Sequence, residues 1–288
     1  MRQTAWILFQ CSFLSLILSS VFSERTWAQQ YGAISTATVE TGRASIEPTE
    51  SPILNPATIP YAKGYFFTSD YAVMSDGSEF TVGLTDNMPD TLVPTSLIYT
   101  QYSNSLSTNN PLTTQDLRLE LASLSTKQFA FGIAARYKAD TVPITQYRQM
   151  NLLLGSLFTL TPELGIALVV DNVFSPDSLV PMEYRLLPGL SAGINYNYKR
   201  VIRFKLDAQT ATNDSLDGPS LGFGLEGHWN KWLVFRMGVR RYWEFDTNEF
   251  GAGIGFSGPK FAVHYGYLES PQQPLLSRQA IDLAVPIW

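Results

Sequence analysis

From Tyr61 onward, apolar side chains recur at every second position in short runs, and turn residues separate the runs. That period belongs to strands with two unlike faces, not to helices. Phe129, Phe131, Ile133, Ala135 and Tyr137 share one face of such a run, and Gln128, Gly132, Arg136 and Lys138 share the other. Leu117, Leu119 and Leu121 oppose Asp116, Arg118 and Glu120 in the same way. Ile202, Phe204 and Leu206 oppose Arg203, Lys205 and Asp207, and Phe250, Ala252, Ile254 and Phe256 oppose Glu249, Gly251, Gly253 and Gly255. The pattern predicts strands over 61–72, 78–87, 95–104, 115–125, 127–138, 147–160, 162–172, 187–199, 201–210, 219–229, 232–243, 247–257, 260–269 and 278–288. Runs 95–104 and 147–160 alternate poorly, so the expected count of about fourteen carries a margin of two, within the even numbers usual for single-chain bacterial barrels.

Alternation alone does not say which face meets water, since a soluble sandwich shows the same pattern with its apolar face inside. Three features favour a membrane. The strands follow one another with no helices between them. Aromatic residues gather near strand ends (Tyr196, Tyr198, Trp229, Trp232, Trp243, Tyr265, Tyr267), as an interfacial girdle requires. The chain closes on an alternating strand that ends in Trp288. The expected fold is therefore all-β, a transmembrane antiparallel up-and-down β-barrel preceded by an irregular or plug segment. A Lys or Arg facing lipid at mid-depth costs about 2–4 kcal/mol, and the apolar faces are nearly free of charge along their middles. Arg241 is the visible exception; it lies at a strand end beside Tyr242 and Trp243, which predicts headgroup level.

Three regions follow. Residues 1–28 read as a signal peptide, with Arg2, an apolar run from Ala5 to Phe22, and small residues at Thr26-Trp27-Ala28 for cleavage. Residues 29–60 form an N-terminal periplasmic or plug segment rich in Ser, Thr, Pro and Ala, and residues 61–288 form the barrel. The single cysteine, Cys11, falls in the signal, so the exported chain has no disulfide to stabilise it; a closed barrel stabilises it instead, by pairing every backbone group. The connections at 197–200, 229–232 and 257–260 are tight, whereas 140–146, 174–186 and 212–219 are longer, which predicts short turns toward the periplasm and long loops outside. These features together imply localisation in the bacterial outer membrane. The expected partners are membrane lipid and lipopolysaccharide, and the barrel-assembly machinery through the C-terminal strand.

The inward faces carry the candidate pore-lining residues Asp116, Arg118, Glu120, Arg136, Arg203, Lys205, Asp207, Glu226, His228, Arg236, Arg240, Glu249 and His264. A hairpin turning through Asn230 to Trp232 sets Glu226 opposite Arg236. Small residues repeat on the same faces, among them Gly132, Gly193, Gly222, Gly224, Gly238, Gly251, Gly253 and Gly255. They leave room for something inside or mark where strands bend. Two histidines and no cysteine offer no dedicated metal site, and neither histidine has a serine in a recognisable lipase motif, so no catalytic residue is assigned. No phosphate-cradling loop or dinucleotide fingerprint predicts a cofactor, and the net charge of -5 argues against nucleic acid as a partner.

The stretch Gly42-Arg43-Ala44 to Asn55-Pro56-Ala57 resembles the opening of FadL-like outer-membrane proteins, a group of fatty-acid and hydrocarbon channels with PorV-like relatives. Gly42 and Ala44 match a Gly-x-Ala element, and Asn55, Pro56 and Ala57 match an Asn-Pro-Ala element; the resemblance implies a plug at these five residues and a barrel of about fourteen strands. Thr58 stands where glycine is common in that group, and the chain is short for a FadL-type transporter. In the closing strand Ile281, Leu283, Val285 and Ile287 leave Trp288 out of step, which a bulge near Pro286 would repair. The expected function is a channel for passive uptake of small solutes, hydrophobic ones among them. The alternatives are a non-transporting barrel that anchors or docks an envelope or secretion assembly, and a barrel enzyme.

Overall fold

A computed structural model describes residues 32–47, 49–104, 112–175, 177–211, 218–244, 246–272 and 277–287. The expected signal peptide and the closing Trp288 lie outside the described residues. Fourteen antiparallel strands form a closed barrel in which each pairs with its neighbours in sequence. They are β1 Gly64–Met74, β2 Ser78–Asn87, β3 Thr95–Ser103, β4 Thr113–Leu124, β5 Phe129–Thr141, β6 Gln146–Thr159, β7 Leu164–Asp171, β8 Gly189–Tyr198, β9 Ile202–Ala211, β10 Ser220–His228, β11 Leu233–Tyr242, β12 Thr247–Ser257, β13 Ala262–Glu269 and β14 Arg278–Ile287. β14 closes on β1 in unbroken register from Tyr65↔Ile287 to Met74↔Arg278. Closure removes both sheet edges, so ladder groups find partners without water.

Several expectations need correction. No bulge interrupts β14 at Pro286, which lies in register with Phe66. The first strand starts at Gly64 rather than Tyr61, because Pro56–Tyr61 winds into a 3-10 helix with prolines at both its ends. β5 runs on to Thr141, which takes Asp140 out of the expected loop and into the inner wall. The two weakly alternating runs do form strands: β3 and β6 are each paired on both sides, and ladder partners outweigh poor local patterning. Loop asymmetry is also incomplete. The end carrying turns 125–128, 160–163, 199–201, 229–232 and 258–261 also carries the longer 88–94. The tight 75–77 turn sits at the other end, with loop 172–188.

The apolar faces point outward. Leu119 and Phe131 are 47% and 50% exposed, while Asp116 and Glu120 between them in phase are 2% and 0%. Phe129, Phe204 and Phe250 are likewise outward, and Arg118, Lys205 and Glu249 are buried within. This is the inside-out arrangement of an outer-membrane barrel. Glu226 faces Arg236, as the hairpin spacing predicts.

The interior holds the chain's own N-terminal segment. Helix α1 (Ala33–Ala37) packs against β11 to β14. After it the chain turns through Val39 and Glu40, both at positive φ, and through Gly42 at φ 139. It then reaches helix α2 (Ser51–Leu54) and the 3-10 helix, which packs mainly on β4, β5 and β6. Glycines in the wall admit this backbone. A Cβ at Gly251 would stand 2.6 Å from the Thr36 and Ala37 carbonyl oxygens, and one at Gly132 would stand 2.6 Å from Ala57 N. The inner-face glycines therefore leave room for chain.

Valine at Gly251 or at Gly132 is expected to destabilise the folded barrel by about 1–3 kcal/mol through overpacking. Gly227 is the control, because a Cβ there meets nothing within 4 Å. The temperature at which the barrel loses its compact electrophoretic mobility measures the effect; equal temperatures for the Gly227 and Gly251 variants would refute the close approach.

Candidate functional site

The inserted segment is organised around Asn55. Its side-chain oxygen accepts from Ala57 N at 3.0 Å, capping the 3-10 helix that Pro56 begins. Its amide donates to Arg43 O at 2.9 Å and to Ser156 O in β6 at 3.1 Å. One residue thus ties the Asn-Pro-Ala turn to the Gly42–Ala44 bend and ties both to the wall. Thr58 joins this cap by donating to Asn55 O at 2.8 Å, so the hydroxyl has a use where glycine would have none. Ala44 and Ala57 pack with Ala130, Leu157 and Ala167, a small apolar anchor on the β5–β7 side.

The Gly42 bend meets the wall through charge. Asp207 Oδ2 accepts from Gly42 N at 3.0 Å, Arg43 N at 3.1 Å and the Arg43 guanidinium at 3.0 Å. The positive φ at Gly42 aims its N–H at the same oxygen as the next residue's N–H, a backbone nest for a carboxylate. Arg240 in β11 reaches in the opposite sense, donating to Val39 O and Glu40 O at 2.9 and 3.0 Å. Arg118 in β4 donates to Ile53 O at 3.1 Å. Wall and segment therefore satisfy each other's buried polar groups.

Two further clusters of inward charge lie away from the bend. Glu226 lies 2.5 Å from Lys205, 3.0 Å from Arg203 and 3.3 Å from Arg236, and Arg203 also pairs with Glu47 of the segment. Burial pushes the Glu47 carboxyl up, but the nearby cations, Arg203 first and then Arg236 and Lys205, together hold the group below the ordinary carboxylate range. Across the lumen, Asp116 is paired with Arg136 at 2.5 Å and Arg118 at 3.6 Å. Nearby Glu120 is fully buried, and its oxygens meet no hydrogen-bond donor among the described residues.

Loop 172–188 covers the long-loop mouth. Tyr184 O accepts from Lys138 and Gln149 at 3.1 and 2.8 Å, and Tyr184 stacks on Tyr147 with centroids 5.5 Å apart. Val180 and Leu186 of this loop are buried, while its Phe174 and Leu179 face outward. At the opposite mouth a cleft of about 640 Å³ opens among Glu163, Tyr196, Lys199, Arg203 and His228.

All thirteen residues proposed as pore-lining face inward, and the structure brings most of them into the clusters above. Arg203 and His228 lie at the cleft. Glu249 is buried opposite Arg240. His264 sits in a hydrogen-bonded line, with Asp282 2.7 Å from Nδ1 and Ser257 3.2 Å from Nε2. The line crosses β12, β13 and β14 and fixes the ring, which is 3% exposed. Sequence reasoning missed Asp70, Glu79, Arg278 and Asp282 on the inner face of the closing seam. Asp282 was legible, since it falls between Ile281 and Leu283 in the alternating run.

No family model matches the chain, and no curated protein matches it in sequence. Solved structures do match. The CymD monoaromatic hydrocarbon channel superposes with a TM-score of 0.67 at 13% identity, over 89% of this chain and 97% of that one. The toluene transporter TodX of Pseudomonas putida gives 0.63 at 12% identity over 89% and 97%. A FadL homologue of Pseudomonas aeruginosa gives 0.59 at 10% identity over 88% and 97%. The chain has the fold of these outer-membrane channels.

Replacing Asp207 with Ala removes the carboxylate partner of the buried Arg43 guanidinium, leaves its bond to Glu40 O, and takes the acceptor from two backbone N–H groups; it is expected to cost about 3–5 kcal/mol of segment docking. Amide hydrogen exchange at residues 42 and 43 reads it directly. Protection unchanged from wild type would show that the nest does not hold the segment.

Proposed function

We propose that this chain is an outer-membrane channel for passive uptake of small hydrophobic solutes, with residues 32–60 acting as its plug. The observation that carries the reading is the kind of attachment inside the barrel. The segment is tied to inward side chains by directional polar contacts (Asp207, Arg240, Arg118, Arg203), alongside the burial of Ile34, Val39 and Ile59 and two small clusters built mainly of alanine. Polar contacts of this sort exchange with water at small net cost, so the segment is fixed in place yet releasable.

Monoaromatic hydrocarbons are the solute class we favour. The fold is shared with a hydrocarbon channel and a toluene transporter. Apolar side chains also stand exposed at the long-loop mouth, with Ile144 and Leu179 at 97% and 85%, where a greasy molecule would first adsorb. From there a solute would pass beneath loop 172–188 and past the segment to the cleft beside Arg203 and His228. Selection would come from lumen width and lining charge, without turnover. The outward faces would contact lipid and lipopolysaccharide, the β14 strand would be read by the barrel-assembly machinery, and residues 1–28 would direct export.

Deleting residues 31–57 is expected to raise single-channel conductance in planar bilayers several-fold. Conductance equal to that of the full chain would remove the plug. Purification of the full chain with a stable protein partner, and no conductance in either form, would favour the docking barrel.

A further inference from the structure

We infer that Glu50 is a proton-operated latch: with its proton it holds α1 and the bend after it against the closing seam of the barrel, and without it that side of the lumen loosens. The latch rests on the reading of residues 32–60 as a plug.

Glu50 is 3% exposed and sits just before α2. Its carboxyl reaches back across the segment to α1: one oxygen accepts from Ser35 N at 2.7 Å, and the other lies 2.5 Å from Ser35 Oγ, to which the protonated carboxyl can donate. It is thus the clasp between the two ends of the inserted chain. All five residues of α1 are buried, Ile34 among them, and Ala33 packs with Ala72 and Ala280 of the wall.

The wall that Glu50 faces is short of positive charge. Asp282 of β14 gives one oxygen to His264 of β13, and its other oxygen finds no partner among the described residues. Asp70 of β1 lies directly opposite Asp282 in the closing register, 7% exposed, with neither oxygen hydrogen-bonded among the described residues. Like charges placed opposite each other on paired strands repel. Arg278 attracts Asp70 as well, but the hydrogen bonds and ion pairs of the cations around them go elsewhere. Arg278 of β14 pairs with Glu79 of β2 and donates to Thr36 of α1. Lys205 of β9 pairs with Glu226. Within the segment, Arg43 is held by Asp207, Glu47 by Arg203, and Glu40 faces Arg240. Three buried carboxyls, Glu50, Asp70 and Asp282, thus lie close enough to feel one another's charge, with His264 bonded to Asp282.

Burial, and next the Asp282 carboxylate, push the Glu50 carboxyl up to about 7, against the pull of the two Ser35 hydrogen bonds. Because this lies above the value of 4.5 for a solvated glutamate, the docked segment binds the proton more tightly than the released one. Docking is favoured most below the free value and weakens as pH rises through the docked value. Ionised Glu50 would sit buried beside the Asp282 carboxylate, and release lets it reach water.

The test is the 13C signal of the Glu50 carboxyl in the full chain in detergent micelles, followed from pH 4 to pH 9 with the amide signals of residues 33–37. The expected midpoint lies near 7, and the amides move with it. Glu50→Gln should leave those amides unmoved over the range, and Asp282→Asn should shift the midpoint to lower pH. Bilayer conductance should rise with pH through the same midpoint in the full chain and stay flat in Glu50→Gln. A carboxyl midpoint near 4.5, or amides that ignore its titration, would overturn the latch. A spectroscopic transition near 7 in a chain that conducts at no pH, with or without residues 31–57, would leave the proton-linked clasp standing and remove the channel.

Discussion

A strand that shows hydrocarbon its apolar face must turn its charges inward, and a closed wall gives them nowhere else to go. Asp116, Lys205, Asp207, Glu226 and Arg240 are all nearly inaccessible to solvent. Burying one such group without a partner costs several kcal/mol. The wall solves part of this by itself, as in Glu226 with Lys205 and Arg236, or Asp116 with Arg136. The rest is solved by the inserted segment, whose main-chain groups at Val39, Glu40, Gly42, Arg43 and Ile53 meet Arg240, Asp207 and Arg118. The segment needs those groups as much as they need it, since its irregular backbone leaves donors and acceptors that no ladder satisfies.

The two ends of the segment are held differently. Near β1, the 3-10 helix is anchored by Asn55 and by packing of Ala44 and Ala57 on Leu157. At the far end, α1 buries Ile34 and its alanines and is tied through Ser35 to Glu50 and through Thr36 to Arg278. Apolar packing keeps its strength whatever the charge state, whereas a carboxyl clasp does not.

Much of this was legible in the sequence because a period of two leaves little freedom once one face is known. Phe129 and Arg136 had to lie on opposite sides of the wall, and three loop residues after Trp229 had to place Glu226 against Arg236. The glycines at 132 and 251 were visible as small inner-face residues, though not what fills the space beside them. Less legible were features made by distant parts of the chain. The nest for Asp207 joins residues 165 apart, and no local pattern marks Gly42 and Asp207 as partners. Glu50 reads in sequence as one more polar residue of a Ser- and Pro-rich stretch; only the fold sets it beside Ser35 and the seam. Asp140 was lost to an assumed loop, because strand ends are where turn residues and ladder partners compete.

The contacts of α1 with β12, β13 and β14 join the start of the described chain to its end. Contacts of such long sequence separation form late, after the intervening loops have closed. The interior charges must then stay hydrated until the last strand meets the first, and the drying of the lumen becomes the final event of assembly. A barrel stalled before that moment would be open at its seam and wet at its centre, with Asp70 and Asp282 still apart.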